Sequence, residues 1–121
     1  MIKYQAQVTF IGPLVSEFMD HNILVLFGDQ APEELQEFAV IHDGNVLESN
    51  LEPGDIVSLA GESFKILAVG DVSNTNLANL GHLVLKFNGE IVPEMPGDVC
   101  LENKKMPAIR IGSQLIIESK N

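Results

Sequence analysis

Positive charge is scarce in this sequence. Its 121 residues carry 7 Lys and Arg against 17 Asp and Glu, a formal net charge of −10. Binding a phosphate backbone takes a field of cations, and seven of them scattered from Lys3 to Lys120 do not make one. Nucleic acid is therefore a poor partner, and an anionic membrane surface is disfavoured for the same reason. Cysteine is nearly absent. Cys100 alone cannot form an internal disulfide, so nothing marks a secreted, stapled scaffold, and a reducing cytosol is the expected compartment. No uncharged apolar run approaches the roughly 18 residues that span a bilayer. Met1 to Gln7 lack the apolar stretch of a signal peptide, so a cytoplasmic protein without membrane insertion is expected. Most local chemistry motifs are missing too. There is no Gly-rich loop followed by Lys and Ser or Thr, no paired Cys, no His-Glu-x-x-His helix and no nucleophile elbow.

What is present suits one folded domain spanning 1–121. The length lies near the commonest domain size, and 45% apolar residues supply a core. Tyr4, Ala6, Val8 and Phe10 alternate with Lys3, Gln5, Gln7 and Thr9, which predicts a strand with the first set buried and the second wet. Gly12-Pro13 stops it. Leu14, Val15, Phe18 and Met19 then have the spacing of a short helix ending near Asn22. Ile23 to Phe27 is a continuous apolar run, short enough for a fully buried strand. Ala31 to Phe38 reads as a helix start, with Pro32 at the first helical position and Glu33 and Glu34 at the positive dipole end.

Ile56–Leu59 and Phe64–Val69 flank a hairpin in which Gly61 takes a positive φ. Ser73 to Leu80 predicts a short helix capped by Ser73 or Asn74 and stopped by Gly81. Leu83, Leu85 and Phe87 alternate up to Asn88-Gly89, a hairpin signal. Val99–Leu101 and Leu115–Ile117 complete the strands. A weak echo links Glu52-Pro53-Gly54-Asp55-Ile56-Val57 to Glu94-Met95-Pro96-Gly97-Asp98-Val99, each a Pro-Gly turn before a strand. Many short strands, frequent Gly and only two or three short helices predict an all-β fold, a closed or partly closed β barrel.

Candidates for chemistry reduce to three histidines and a surplus of carboxylates. His21, His42 and His82 are 21 and 40 residues apart, which matches no local zinc motif. His21, between Asp20 and Asn22, reads as exposed and without a role, and Cys100 as an inert small hydrophobe. His42 is the better candidate. It follows the apolar run Phe38 to Ile41 and precedes the turn residues Asp43-Gly44-Asn45. That places the ring where a buried segment emerges, its backbone held by the core and one ring nitrogen exposed. The plain alternative is a turn histidine with a satisfied nitrogen. His82 opens the strand after Gly81, either as a strand-start residue bonded to a carbonyl or as a second ring beside His42.

The segments Ala31-Pro32-x-x-Leu35-x-Glu37-Phe38-x-x-Ile41-His42, Ala68-Val69-Gly70-x-Val72, Asn76-Leu77-x-x-Leu80-Gly81-His82-x-x-Leu85-x-Phe87-x-Gly89 and Pro96-Gly97 resemble, in order and spacing, one bacterial family. It is the glucitol/sorbitol-specific IIA component of the phosphoenolpyruvate:sugar phosphotransferase system (PTS), and the likeness covers essentially the whole chain. The resemblance implies a cytoplasmic phosphocarrier that takes a phosphoryl group from the phosphocarrier HPr on a histidine and hands it to the IIB domain of a sugar permease. It implies no cofactor, no metal and no contact with the sugar. The family's phosphorylated histidine falls on His42. A second family histidine shortly after it is replaced here by Asp43-Gly44, which turns attention to His82 as a helper. With Arg110 the only arginine, the donors around a phosphoryl group are expected to be the backbone of Asp43, Gly44 and Asn45 together with His82. Rival readings are a non-catalytic β-barrel interaction or regulatory module and, more distantly, a zinc enzyme.

Overall fold

The period-two pattern near the N-terminus becomes β1 (Ile2–Ile11), the first of eight strands in the computed structural model, which describes residues 1–120. There follow α1 (Val15–Met19), β2 (Ile23–Gly28), α2 (Glu33–Gln36), β3 (Val40–His42), β4 (Ile56–Leu59), β5 (Glu62–Val69), α3 (Ser73–Leu80), β6 (Leu83–Lys86), β7 (Asp98–Leu101) and β8 (Gln114–Glu118). The strands close into a barrel in the order β1-β3-β2-β6-β7-β5-β4-β8, with β8 paired back onto β1. The expectation of an all-β, closed or partly closed barrel with two or three short helices holds: the barrel is closed and the short helices among the described residues are three.

Two of the pairings, β2 with β3 and β6 with β7, are parallel. Parallel strands are covered on both faces, which is why Ile23–Phe27 and Val99–Leu101 read as continuous apolar runs rather than alternations. The barrel interior holds Tyr4, Leu24, Leu26, Phe64, Ile66, Leu85, Phe87 and Leu115, with Phe64 and Phe87 edge to face at 4.9 Å. Each such side chain contributes about 1.5–3 kcal/mol by leaving water. A smaller cluster of Val25, Phe27, Ala39 and Ile41 lies on the other face of β2 and β3, where Ala31 and Leu35 cover it.

Several local expectations need correction. Phe10 is 43% exposed, because a bulge between Val8 and Phe10 in the pairing with β3 shifts the strand by one residue and turns its side chain outward. Lys3, expected on the wet face, is buried: its ammonium meets the Asp55 carboxylate at 2.7 Å. α1 ends at Met19, α2 is a single turn with Pro32 as its cap rather than its first residue, and α3 has no side-chain cap. The Ser73 hydroxyl instead donates to the Asp98 carbonyl, and the Asn74 side chain binds the Leu51 backbone. Asn88-Gly89 does not make a hairpin. Residues 89–97 run as an exposed, proline-interrupted loop, and β7 returns parallel to β6. Gly61 does take a positive φ in the β4–β5 turn, joined by Ala60.

The sequence echo has a structural counterpart. In each copy the residue three before the Asp donates its N–H to that carboxylate, Glu52 to Asp55 at 2.8 Å and Met95 to Asp98 at 3.0 Å. Each carboxylate also takes a lysine from another strand, Lys3 at 2.7 Å and Lys86 at 2.8 Å. Burial alone would lower the Lys3 ammonium, but Asp55 and Glu52 outweigh it and hold it above its usual value. Two equivalent turns are thus each anchored by a buried ion pair.

Candidate functional site

β3 carries His42 to the mouth of the barrel. Its backbone sits in register with Val8 of β1 and Gly28 of β2. The ring points inward, is 1% exposed and meets Tyr4 edge to face, with centroids 5.8 Å apart. The expectation of one exposed ring nitrogen is therefore corrected, because neighbouring backbone closes over both. Nε2 lies 2.7 Å from the Gly81 carbonyl oxygen, and Nδ1 receives the Gly44 N–H at 3.0 Å. A carbonyl can only accept and an amide N–H can only donate. The neutral ring thus carries its proton on Nε2 and its lone pair on Nδ1.

Two glycines make this fit possible. Gly81 ends α3 in the left-handed conformation at φ 63°, and a Cβ on it would come within 2.8 Å of the Gly28 nitrogen and 2.9 Å of His42 Cε1. Gly44 packs so closely that a Cβ would lie 2.7 Å from the Tyr4 ring and 2.8 Å from its hydroxyl oxygen. The Tyr4 hydroxyl is the one buried side-chain polar atom without a hydrogen-bond partner among the described residues. Burial, with the charge of Asp43 adding to it, pushes the phenol up to about 12.

Burial also lowers His42 below the usual histidine value of 6.5, against the opposing pull of the Gly81 carbonyl, Asp43 and Asp29. The ring is neutral at pH 7, as a nucleophile requires. The unfolded chain binds this proton near pH 6.5 and the folded chain only at lower pH. His42 therefore contributes stability that is complete above about 6.5 and is lost as the pH falls toward the folded-state value. Ring titration by NMR should give a midpoint below 6.5, and the denaturation midpoint of His42→Gln should fall less steeply on acidification than that of the natural chain.

The other expected site residues occupy distinct places. His82 is half-buried, stacks on Phe27 at 4.1 Å and bonds the Leu26 carbonyl through Nδ1 at 3.0 Å. Each histidine thus has its own aromatic partner, and the two are joined through backbone: His42 holds the carbonyl of Gly81, which directly precedes His82. The Asp43 N–H donates to Gln7 O and its carboxylate accepts the Gln7 N–H, which continues the pairing of β1 beyond β3. Gly44 spends its N–H on His42, while Asn45 is exposed. A cleft of about 110 Å³ opens beside them, lined by Gly28, Asp29, Gln30, Gly44, Asn45 and the end of α3 from Ala78 to Gly81. Its polar lining residues are Asp29, Gln30, Asn45 and Asn79, and no Lys or Arg is among them.

Cys100 is buried and its thiol is held above the usual value by that burial and by Asp98. His21 is exposed after α1. No three His, Cys, Asp or Glu side chains converge as a metal site would need among the described residues. No helix among them is long and apolar enough to cross a membrane. Tyr4 and Gly81 are the neighbours of His42 that local pattern does not reveal, since Tyr4 looks like any alternating core residue and Gly81 like any helix stop.

Residues 3–116 match the family model described as the PTS system glucitol/sorbitol-specific IIA component. Glucitol/sorbitol-specific EIIA components of the PTS from Shigella flexneri and Escherichia coli K12 are each 35% identical over 118 residues, covering 98% of this chain and 96% of theirs. A solved structure, that of a PTS system IIA component from Enterococcus faecalis V583, superposes with a TM-score of 0.79 at 28% identity, covering 92% of this chain and 96% of that one.

Proposed function

The chain belongs to the glucitol/sorbitol-specific IIA components of the PTS, which makes it a phosphotransfer protein, and from that premise we propose that it carries the phosphoryl group on His42. The observation that supports this reading most directly is the clamped ring. Gly81 holds the proton on Nε2, so the lone pair of Nδ1 is the nucleophile, and it abuts Gly44 beside the amide-lined cleft. In transfer, that lone pair forms a new N–P bond while the N–P bond of the donor breaks and its electron pair returns to the donor's imidazole nitrogen. The proton stays on Nε2, donated in its hydrogen bond to the Gly81 carbonyl. Gly44 must first release Nδ1, a small loop movement that opens onto the cleft.

Phosphoryl transfer asks mainly for in-line positioning and for donors around the equatorial oxygens. The Gly44 and Asn45 backbone and the cleft amides supply donors, and a docked partner supplies the missing positive charge. We assign HPr as the phosphoryl donor and the IIB domain of a glucitol/sorbitol permease as the acceptor, with the whole chain acting as one cytoplasmic IIA unit that never meets the sugar. His82 acts as a positioning residue: its hydrogen bond to Leu26 and its stack on Phe27 fix the backbone that presents the Gly81 carbonyl.

A second reading has one observation in its favour. His82 is the more exposed of the two rings, and its Nε2 makes no hydrogen bond among the described residues. The experiment separates the two. The protein is incubated with phosphoenolpyruvate, enzyme I and HPr, and an acid-labile, base-stable phosphoryl group is mapped by mass spectrometry. His42→Ala should abolish the label and His82→Ala should slow its appearance about tenfold. The reverse pattern would transfer the acceptor role to His82.

A further inference from the structure

We propose that Tyr4 is a phosphoryl-binding residue of this site, its hydroxyl reserved as a hydrogen-bond donor to the phosphoryl group on His42. The proposal rests on the reading of His42 as acceptor. Buried hydroxyls almost always find a partner, so an orphan in the core calls for an explanation. Tyr4 is 1% exposed, and its hydroxyl is the single orphan among the described residues.

Its position supplies the explanation. The Gly44 N–H bonds His42 Nδ1 at 3.0 Å, and the place where Gly44 would carry a Cβ lies 2.8 Å from the Tyr4 hydroxyl oxygen. Gly44 therefore bonds the nucleophilic nitrogen and has the orphan hydroxyl beside the position that its missing Cβ would take. When Gly44 leaves Nδ1 to admit the phosphoryl group, the space it vacates has the phenol as its far wall. The edge-to-face packing of Tyr4 on His42 holds the two rings against each other, their centroids 5.8 Å apart.

The protonation state suits the role. A phenol held near 12 keeps its proton at any working pH, and it donates without losing it. No cation lines the adjoining cleft, which makes a neutral donor in a buried wall the more valuable. Tyr4 and Asn45 also line a neighbouring cleft of about 300 Å³, so the turn at Asn45 borders both clefts.

The test compares the natural chain with Tyr4→Phe after loading by phospho-HPr. A hydroxyl with no partner in the free protein contributes nothing there, so free Tyr4→Phe should melt at the same temperature or higher. The phosphorylated form should lose its group to water about tenfold faster, the worth of one hydrogen bond to a charged acceptor. A second measurement needs no variant. The sequence has one tyrosine and no tryptophan, so the near-ultraviolet absorption band of the natural chain reports Tyr4, and phosphorylation should shift it to longer wavelength. Label on His42 with equal hydrolysis rates and an unmoved tyrosine band would overturn the Tyr4 assignment alone. Label found away from His42 would overturn both it and the reading beneath it.

Discussion

Asp55→Ala should cost about 3–5 kcal/mol of stability, the loss expected when a buried ion pair is broken from one side. In a chain of this length that corresponds to a fall in melting temperature of about 10–20 °C. The carboxylate accepts the Lys3 ammonium at 2.7 Å and the Glu52 N–H at 2.8 Å, and both Lys3 and Asp55 side chains are almost wholly enclosed. Without it the ammonium keeps only the Asn50 carbonyl and the exposed Glu52 carboxylate, at 2.9 and 3.5 Å. Replacing both partners, as Lys3→Met with Asp55→Leu, should recover most of the loss, since the penalty lies in the stranded charge rather than in the missing attraction. The equivalent Asp98→Ala should cost less, because Lys86 has 13% of its side chain exposed against 5% for Lys3 and can rehydrate. Thermal melts of the three variants beside the natural chain check this. Equal losses at the two sites, or no recovery in the double variant, would contradict it.

Gly81→Ala should lower the rate of phosphoryl loading about a hundredfold, the scale of a misplaced reacting group. Two effects combine. The left-handed backbone at φ 63° strains any side chain, and the new Cβ meets the Gly28 backbone at 2.8 Å, which cannot swing aside as a flexible side chain would. The remaining escape is for Gly81 to retreat from β2, which takes its carbonyl away from His42 Nε2 and frees the ring to change tautomer. Stability should fall by about 2–3 kcal/mol as well. Loading by phospho-HPr is therefore measured at a temperature where circular dichroism shows the variant folded. Loading at the natural rate would mean that the Gly81 clamp is dispensable.

The architecture was largely legible because barrel strands announce themselves by period or by apolar continuity, as β1 and β2 do. What escaped were features set by a distant partner. Nothing near Lys3 marks it as buried, since the carboxylate that permits it stands 52 residues away. The bulge that expels Phe10 inserts one residue without a sequence mark of its own. Asn88-Gly89 specifies that the chain turns, not which strand it joins next, and β6 lies between β2 and a parallel β7. In the site, His42 stood out because an apolar run gives way to turn residues there. Its clamp did not, because the Gly81 carbonyl arrives from 39 residues downstream and the Tyr4 ring from another strand. A local pattern can nominate a nucleophile, whereas its tautomer and its neighbours are properties of the closed barrel.

Closure has a consequence for how the chain is made. β8 is the last strand in chain order, and it pairs with both β1 and β4. Until it is synthesised, the nascent sheet presents two open edges, one of them the longest strand of the protein. Pairing of β1 with β8, more than 100 residues apart in sequence, also carries a large loop-closure cost, so folding belongs to the slow, non-local class and the barrel closes only once β8 is in place. The sheet that shelters His42 is for that interval the part of the molecule most open to pairing with another chain.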